Sequence, residues 1–373
     1  MHADTLSIEE KQTLYRDGFI ILKQAVPPSV VEEAQARING GGHVVGRRHE
    51  KGTYLGDDPA MTDLVNKSAI TPILHEALDD FDPPSDCQVA ILRPGQPGDY
   101  FNNLGYRDRD MPYNGTQCHM DGLCTIAAPQ EVQAGTPDEI YHRYLTNGPK
   151  GDIGRSADVV GHNTVPLFQD PAMTLGMGSF NAFVFVCLND QTRPECGQTS
   201  VLKGAHHATE AFFQRQRALG EHIGPEGPGW PRMNHDVPNR CGLNYLPEQV
   251  RNQFTDESSA TTPDGVRWPE PTPALMEPGD ACIAMFHIPH SGSRNEKGTE
   301  DRKNVIFRIR CKSRQPDKVI TGRRDYPDRG EGGTWLEYEE GNNPWERSKH
   351  ALCHQWDEWR GMQDVVASER ADA

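Results

Sequence analysis

Residues 117–124 read QCHMDGLC, which gathers a histidine, an aspartate and two cysteines into one short window. Side chains of these types either hold a metal or decorate a polar turn, and spacing narrows the choice. If the stretch ends a strand, His119 and Asp121 leave the same face, because side chains alternate from face to face. An imidazole and a carboxylate then supply two legs of a metal site. On its own the pair says little: His-x-Asp arises by chance in many proteins, and a solvated turn explains it better. A local zinc cluster of Cys118, His119, Asp121 and Cys124 is the other competitor. Its cysteines have the opposite parity from His119, and no second Cys pair or His-x3-His follows at structural-zinc spacing.

A third leg lies far downstream. Residues 277–310, EPGDACIAMFHIPHSGSRNEKGTEDRKNVIFRIR, read as a turn at Pro278-Gly279, a strand, two histidines, a polar hairpin and a returning strand. His287 and His290 both lie there. Two histidines and a carboxylate on one side of Fe(II) leave three positions for a chelating organic acid and dioxygen. Arg302 opens the returning strand, twelve residues after His290 and fifteen after His287. Its planar fork suits the far carboxylate of a dicarboxylic acid. The layout becomes His119, Asp121 and His290 on the metal, with Arg302 about one dicarboxylate length away.

These residues need elements to hold them. Ser7 followed by Glu10, and Ser29 followed by Glu32, are capping-box patterns. They predict a helix running to about Arg16 and stopping at Gly18, and a second ending at Asn39-Gly40. FIIL (Phe19–Leu22) between them is a strand. Further strands are expected at 87–93, 180–189, 199–204, 280–286 and 304–311, broken by Gly/Pro turns. The class is mainly β with flanking helices; pattern alone leaves sandwich or barrel open. Long inserts at about 126–179 and 211–274 interrupt a single domain spanning 1–373. Leu352, Trp356, Trp359 and Met362 fall at helical spacing and predict a C-terminal helix packed on the body.

Bulk composition excludes several functions. A formal net charge of −16 gives no broad basic surface for nucleic acid or anionic membrane. No window approaches the ~18–20 apolar residues of a membrane helix. The polar, acidic start is unlike a secretory signal, and nine cysteines without framework spacing fit free thiols in a reducing cytoplasm. A small-molecule substrate is expected; oligomeric state is not legible.

Four blocks, in order, resemble the phytanoyl-CoA dioxygenase-like family of Fe(II)/2-oxoglutarate-dependent oxygenases. They are LSIEEKQTLYRDGFIILKQAVPPSVVEEAQARI, HMDG, CGQTSVLKGAHH, and PGDACIAMFHIPHSGSRNEKGTEDRK, and together they cover under half the chain. The resemblance implies a double-stranded β-helix, a jelly-roll or cupin-like barrel with iron at one mouth. It implies that His119, Asp121 and His290 bind Fe(II), with His290 favoured over His287. Arg302 would hold the 5-carboxylate of 2-oxoglutarate, and Phe185 would line the cosubstrate pocket. Where the family often has a small hydroxyl residue two after the distal histidine, this chain has Gly292, flanked by Ser291 and Ser293, either of which is a candidate for the cosubstrate. The KGAH turn departs from the family's PGSH. The implied reaction consumes O2 and 2-oxoglutarate, releases succinate and CO2, and oxidises an unactivated C–H, most simply to an alcohol. With Asp121 present, oxidation is favoured over halogenation.

Two arginines are candidates for the substrate. Counting by two, Arg302, Asn304, Ile306, Arg308 and Arg310 share a face, so Arg308 is placed to meet an anionic group or, equally, a structural carboxylate. Arg93 could face the pocket, although a salt-bridged rim explains it better. His142, His162, His235 and His354 read as surface or satisfied core residues, and His206 and His207 as caps of a turn. The competing functions are a non-catalytic binding barrel and a zinc hydrolase using the same ligands.

Overall fold

The structure is a computed structural model. It describes residues 4–40, 44–45, 53–95, 118, 120, 126–127, 174–175, 180–220, 223–224, 227–230, 246–261, 265–314, 318–319, 337–338 and 344–371. His119, Asp121, Cys124, His142, His162 and His235 lie outside the described residues, as does nearly all of the insert at 126–179.

Helix α1 (Ile8–Asp17) begins at its expected capping box: Ser7 Oγ accepts from the Glu10 amide at 3.2 Å, and the Glu10 carboxylate accepts from the Ser7 amide at 2.7 Å. Gly18 ends the helix in the left-handed region at φ 79°. A Cβ there would also collide with His206 Nδ1 and Ile288 Cδ1, so both backbone and neighbours demand glycine. The chain leaves directly into β1 (Phe19–Leu22). Helix α2 (Pro28–Gly40) starts one residue before the expected Ser29 cap. Proline needs no amide partner in a first turn, so Pro28 opens the helix and Ser29 sits inside it. A parallel pair, β2 (Val44–Val45) and β3 (Thr53–Tyr54), precedes α3 (Pro59–Asn66) and α4 (Ile70–Ala77).

Two antiparallel sheets carry the site. The larger has the order β1-β10-β7-β12-β4, built with β4 (Gln88–Leu92), β7 (Ala182–Cys187), β10 (Ala281–Met285) and β12 (Arg302–Ile309). The smaller has the order β11-β8-β9, from β8 (Thr199–Val201), β9 (Thr272–Pro273) and β11 (His290–Gly292). Two short pairs, β5 (Ile126–Ala127) with β6 (Thr174–Leu175) and β13 (Lys318–Val319) with β14 (Glu337–Tyr338), complete the described strands. The sheets face each other: the Phe183 ring stacks on His290 at 4.6 Å, and Asn304 Nδ2 donates to Thr199 Oγ1 at 3.4 Å. Mainly β with flanking helices is therefore the observed class, and among the described residues the sheets form no closed barrel. The far face of the larger sheet, with Val184, Val186, Ile283, Val305 and Phe307, is apolar and almost fully buried.

Buried Asp280 ties β10 to the end of β1. Its carboxylate accepts from Lys23 Nζ at 2.7 Å and from the amides of Gln24 at 2.9 Å and Glu277 at 2.8 Å. Helix α5 (Ala205–Ala218) and helix α6 (Glu248–Arg251) occupy parts of the region read as loop at 211–274. His206 and His207 sit in the first turn of α5 rather than capping a turn, and both ring Nε2 groups donate to the Tyr15 carbonyl, at 2.9 and 2.8 Å.

The tail also departs from expectation. Helix α7 (Pro344–Cys353) stops early, a short 3-10 turn spans Arg360–Met362, and α8 (Gln363–Ala371) follows. Leu352, Trp356, Trp359 and Met362 are all buried, yet not on one helix. Three-residue turns, Trp359 N to Trp356 O and Met362 N to Trp359 O, keep the apolar side inward at nearly helical spacing. Trp356 packs on Tyr15 and His206. Among the described residues no helix is long and apolar enough to cross a membrane.

Two stability predictions follow from this framework. Asp280→Ala removes the buried carboxylate that holds the Gln24 and Glu277 amides and Lys23, and should lower unfolding free energy by about 3 kcal/mol, read by urea denaturation. Burial holds His206 well below its ordinary 6.5, with neighbouring His207 acting the same way and the Tyr15 carbonyl opposing them. The unfolded histidine therefore takes up a proton first, so stability is full above about 6.5 and falls as pH drops below it. Urea curves at about pH 7.5 and 5.5 should show that loss, and His206→Asn should shrink it.

Candidate active site

His290 opens β11 and is buried. Its Nδ1 lies 3.1 Å from the Ile288 carbonyl, which can only accept, so Nδ1 carries the proton and Nε2 the lone pair. That tautomer suits metal ligation, the backbone carbonyl fixing the ring from behind. Phe183, on β7, stacks on the ring at 28° between planes. His287 is elsewhere: it sits against Phe213 and Phe286 under α5.

Arg302 approaches from the facing sheet. It is 8% exposed, Nη1 donates to the Ala90 carbonyl at 3.3 Å, and Nε has no partner. Among the described residues no carboxylate pairs with it. Burial pulls the guanidinium down to about 10, with the Cys187 sulfur pulling the other way, so it remains cationic at neutral pH. A Cβ on Gly292 would lie 3.8 Å from Arg302 Nη2. His290 is two residues along the same strand and so shares the Gly292 face.

The walls are close. Gly197, at φ 83°, lets Arg302 Cβ, Asn295 Cβ and Leu92 Cδ2 approach to between 3.1 and 3.2 Å of where its own Cβ would be. Asn304, two residues after Arg302, accepts from Gln191 Nε2 at 2.7 Å. Ser293 pairs with Ser200, their oxygens 2.7 Å apart, whereas the buried Ser291 hydroxyl neighbours the Cys118 thiol. Phe185 is fully buried on the inner face of β7, beside Phe183.

Cys118 and Met120 flank the first ligand candidate and are both buried. Burial pushes the Cys118 thiol up to about 12, the neighbouring Ser291 hydroxyl pulling the other way. Its position also brings residue 118 beside β11, next to His290. Among the described residues no group of three His, Cys, Asp or Glu side chains could hold a metal. His119 and Asp121 lie outside them.

The structure sets Arg302 and Phe185 on the inner face of the larger sheet, toward the strand that begins with His290, whereas Ser291 leaves the other side of that strand beside Cys118 and Ser293 pairs with Ser200. Arg308 is exposed on the same face of β12, donating through both Nη atoms to Gln88 Oε1 at 3.2 Å. Arg93 is not part of the group: it is exposed and of opposite parity to Leu92, which faces Arg302 across the strands. Sequence reasoning missed Phe183 and Gln88, whose contacts come from pairing between distant strands.

No family model and no curated protein matches the sequence. Among solved structures the chain is similar to HygX from Streptomyces hygroscopicus with nickel, 2-oxoglutarate and hygromycin B bound (TM-score 0.40, 12% identity, 90% of this chain and 98% of that one). It is similar to HygX with iron bound (TM-score 0.38, 12% identity, 90% and 97%). It is also similar to the non-heme alpha ketoglutarate dependent carbocyclase SnoK from nogalamycin biosynthesis (TM-score 0.37, 11% identity, 83% and 86%).

An arginine buried without counter-charge destabilises the ligand-free protein. Arg302→Met, which keeps the stem and removes the charge, should raise unfolding free energy by about 1–3 kcal/mol in urea titrations. A drop instead would mean that the charge is already compensated.

Proposed function

We propose that this chain is an Fe(II)- and 2-oxoglutarate-dependent dioxygenase that oxidises, by hydroxylation, an unactivated C–H of a small organic molecule. One observation carries the proposal: the buried guanidinium of Arg302 lies against the strand that begins with the ligand-competent His290 and lacks, among the described residues, any carboxylate. A dicarboxylate chelated at the metal by one end and held by Arg302 at the other satisfies both groups. In this reading His119, Asp121 and His290 hold iron, and the place of Cys118 beside β11 supports bringing that window to His290. We read the two facing sheets as halves of the double-stranded β-helix of phytanoyl-CoA dioxygenase-like oxygenases.

Bound iron and 2-oxoglutarate would supply dioxygen activation, with succinate and CO2 as co-products. The chain's own residues orient and exclude. Ile288 holds the His290 ring in the tautomer that presents Nε2. Arg302 binds the distal carboxylate in a slot dry enough to strengthen that pairing. Phe185 and Phe183 close the apolar side.

The test is anaerobic addition of Fe(II) and 2-oxoglutarate to the purified protein. A weak visible charge-transfer band near ~500 nm is expected for a keto acid chelated to such an iron. His290→Ala should abolish it, and Arg302→Gln should weaken 2-oxoglutarate binding at least about tenfold. If no band forms and no succinate appears with air and a substrate panel, the oxygenase assignment is wrong; zinc in the same site would give no band.

A further inference from the structure

We propose that Phe183 is a positioning residue for the metal centre: its ring lies on the His290 imidazole and holds it at the angle from which Nε2 binds iron; this rests on the oxygenase reading above. Phe183 belongs to β7 of the larger sheet and His290 to β11 of the smaller one. Their ring centres are 4.6 Å apart and their planes 28° from parallel. The contact therefore crosses the space between the sheets and ends on the candidate ligand itself.

A metal ligand must present its lone pair in one direction, and the groups around it set that direction. The Ile288 carbonyl restrains the His290 ring at Nδ1, at 3.1 Å. One hydrogen bond leaves the ring able to tilt about the line of that bond. A flat neighbour on its face removes the tilt. The two restraints act at right angles, one in the ring plane and one across it. The Nε2 lone pair lies in the plane, so the stack orients it without covering it.

Phe183 is itself held. It is buried, with ring centres 5.7 Å from Phe185 and 6.3 Å from Phe180. Its backbone sits between two paired strands, opposite Ala284 of β10 on one side and Arg308 of β12 on the other. A second effect acts in the same direction. Metal ligation draws electron density out of an imidazole, and the face of a benzene ring is the negative part of its quadrupole. The stack thus favours the ligated ring over the free one, and a contact of this kind changes an equilibrium by about two- to tenfold. Phe307 gives the comparison: it is a buried phenylalanine of the same sheet, paired opposite Val184 on the far face.

The experiment uses the full chain under anaerobic conditions. Fe(II) alone is titrated by calorimetry, and Co(II) alone is followed by its visible d–d absorption. Phe183→Leu should weaken Fe(II) binding about two- to tenfold and shift the Co(II) bands. Phe307→Leu should lower the urea midpoint yet keep the Fe(II) Kd within about twofold of wild type and the Co(II) bands in place. Phe183→Met fills the space without a flat face and gives the same reading should Phe183→Leu not fold. Unchanged Fe(II) affinity and Co(II) bands in Phe183→Leu overturn the proposal. An equal loss of affinity in Phe307→Leu also overturns it, because both rings would then act through packing alone. The two readings fail separately. A wild-type chain that binds no Fe(II) overturns the oxygenase assignment and this proposal together. Phe183-dependent Fe(II) binding with no charge-transfer band on adding 2-oxoglutarate supports this proposal and overturns the oxygenase assignment.

Discussion

Arg302 lies between two sheets with a backbone carbonyl as its hydrogen-bond partner and, among the described residues, no carboxylate. A buried cation in that condition costs several kcal/mol, and a loosely built interior would swing it out to water. Close neighbours hold it in place: Gly197 leaves room for its Cβ, Leu92 lies across from it, and its guanidinium lies against Gly292 of the facing sheet. Much of the surrounding architecture is what that enclosure requires: two sheets at close quarters, a left-handed glycine in the connection before β8, and an asparagine, Asn295, donating to the carbonyls of Leu92 and Glu300.

Enclosure of one end leaves the other end of the same face open. Phe183, His290 and Arg308 form a column at the far side of the inter-sheet space, and only the last of them is exposed. The helices support this indirectly. Gly18 lets α1 and β1 pass against His206, and His206 packs on Trp356 of the tail, so N-terminal and C-terminal segments clamp the same edge. Lys11 Nζ extends the clamp by donating to the Gly361 carbonyl at 2.8 Å. The site is thus assembled from strands far apart in the chain but braced by contacts between its two ends.

Elements with a strong local signature were legible in the sequence. The capping box at Ser7 and the glycine at 18 bound α1, and FIIL and NVIFRIR became β1 and the body of β12. The approach of Arg302 to the strand that begins with His290 followed the order of the two segments, and the parity of β12 put Arg308 on the face of Arg302. What was not legible depends on pairing across the chain. Phe183 on His290, Gly197 against Arg302 and Cys118 beside Ser291 each join strands that no local pattern relates. Ser29 misled because Pro28 starts a helix as well as a cap does. The tail misled because successive three-residue turns imitate the burial period of a helix.

Register is the last constraint, and β12 shows how it is enforced. A slip of one residue would turn Lys303 and Phe307 toward the smaller sheet and send Arg302 and Asn304 into the apolar face beside Val184 and Val186. Hydrophobic pattern alone resists this, since Val305, Phe307 and Ile309 alternate with the polar positions. The inner face adds specific locks. Gln191 donates to Asn304, Asn304 donates to Thr199, and Asn189 accepts from the Lys303 amide at 2.8 Å. Each lock is satisfied in one register only. Buried polar groups of this kind contribute little net stability, but they decide which of several similar pairings is native. Here that decision sets both arginines on one side of one strand.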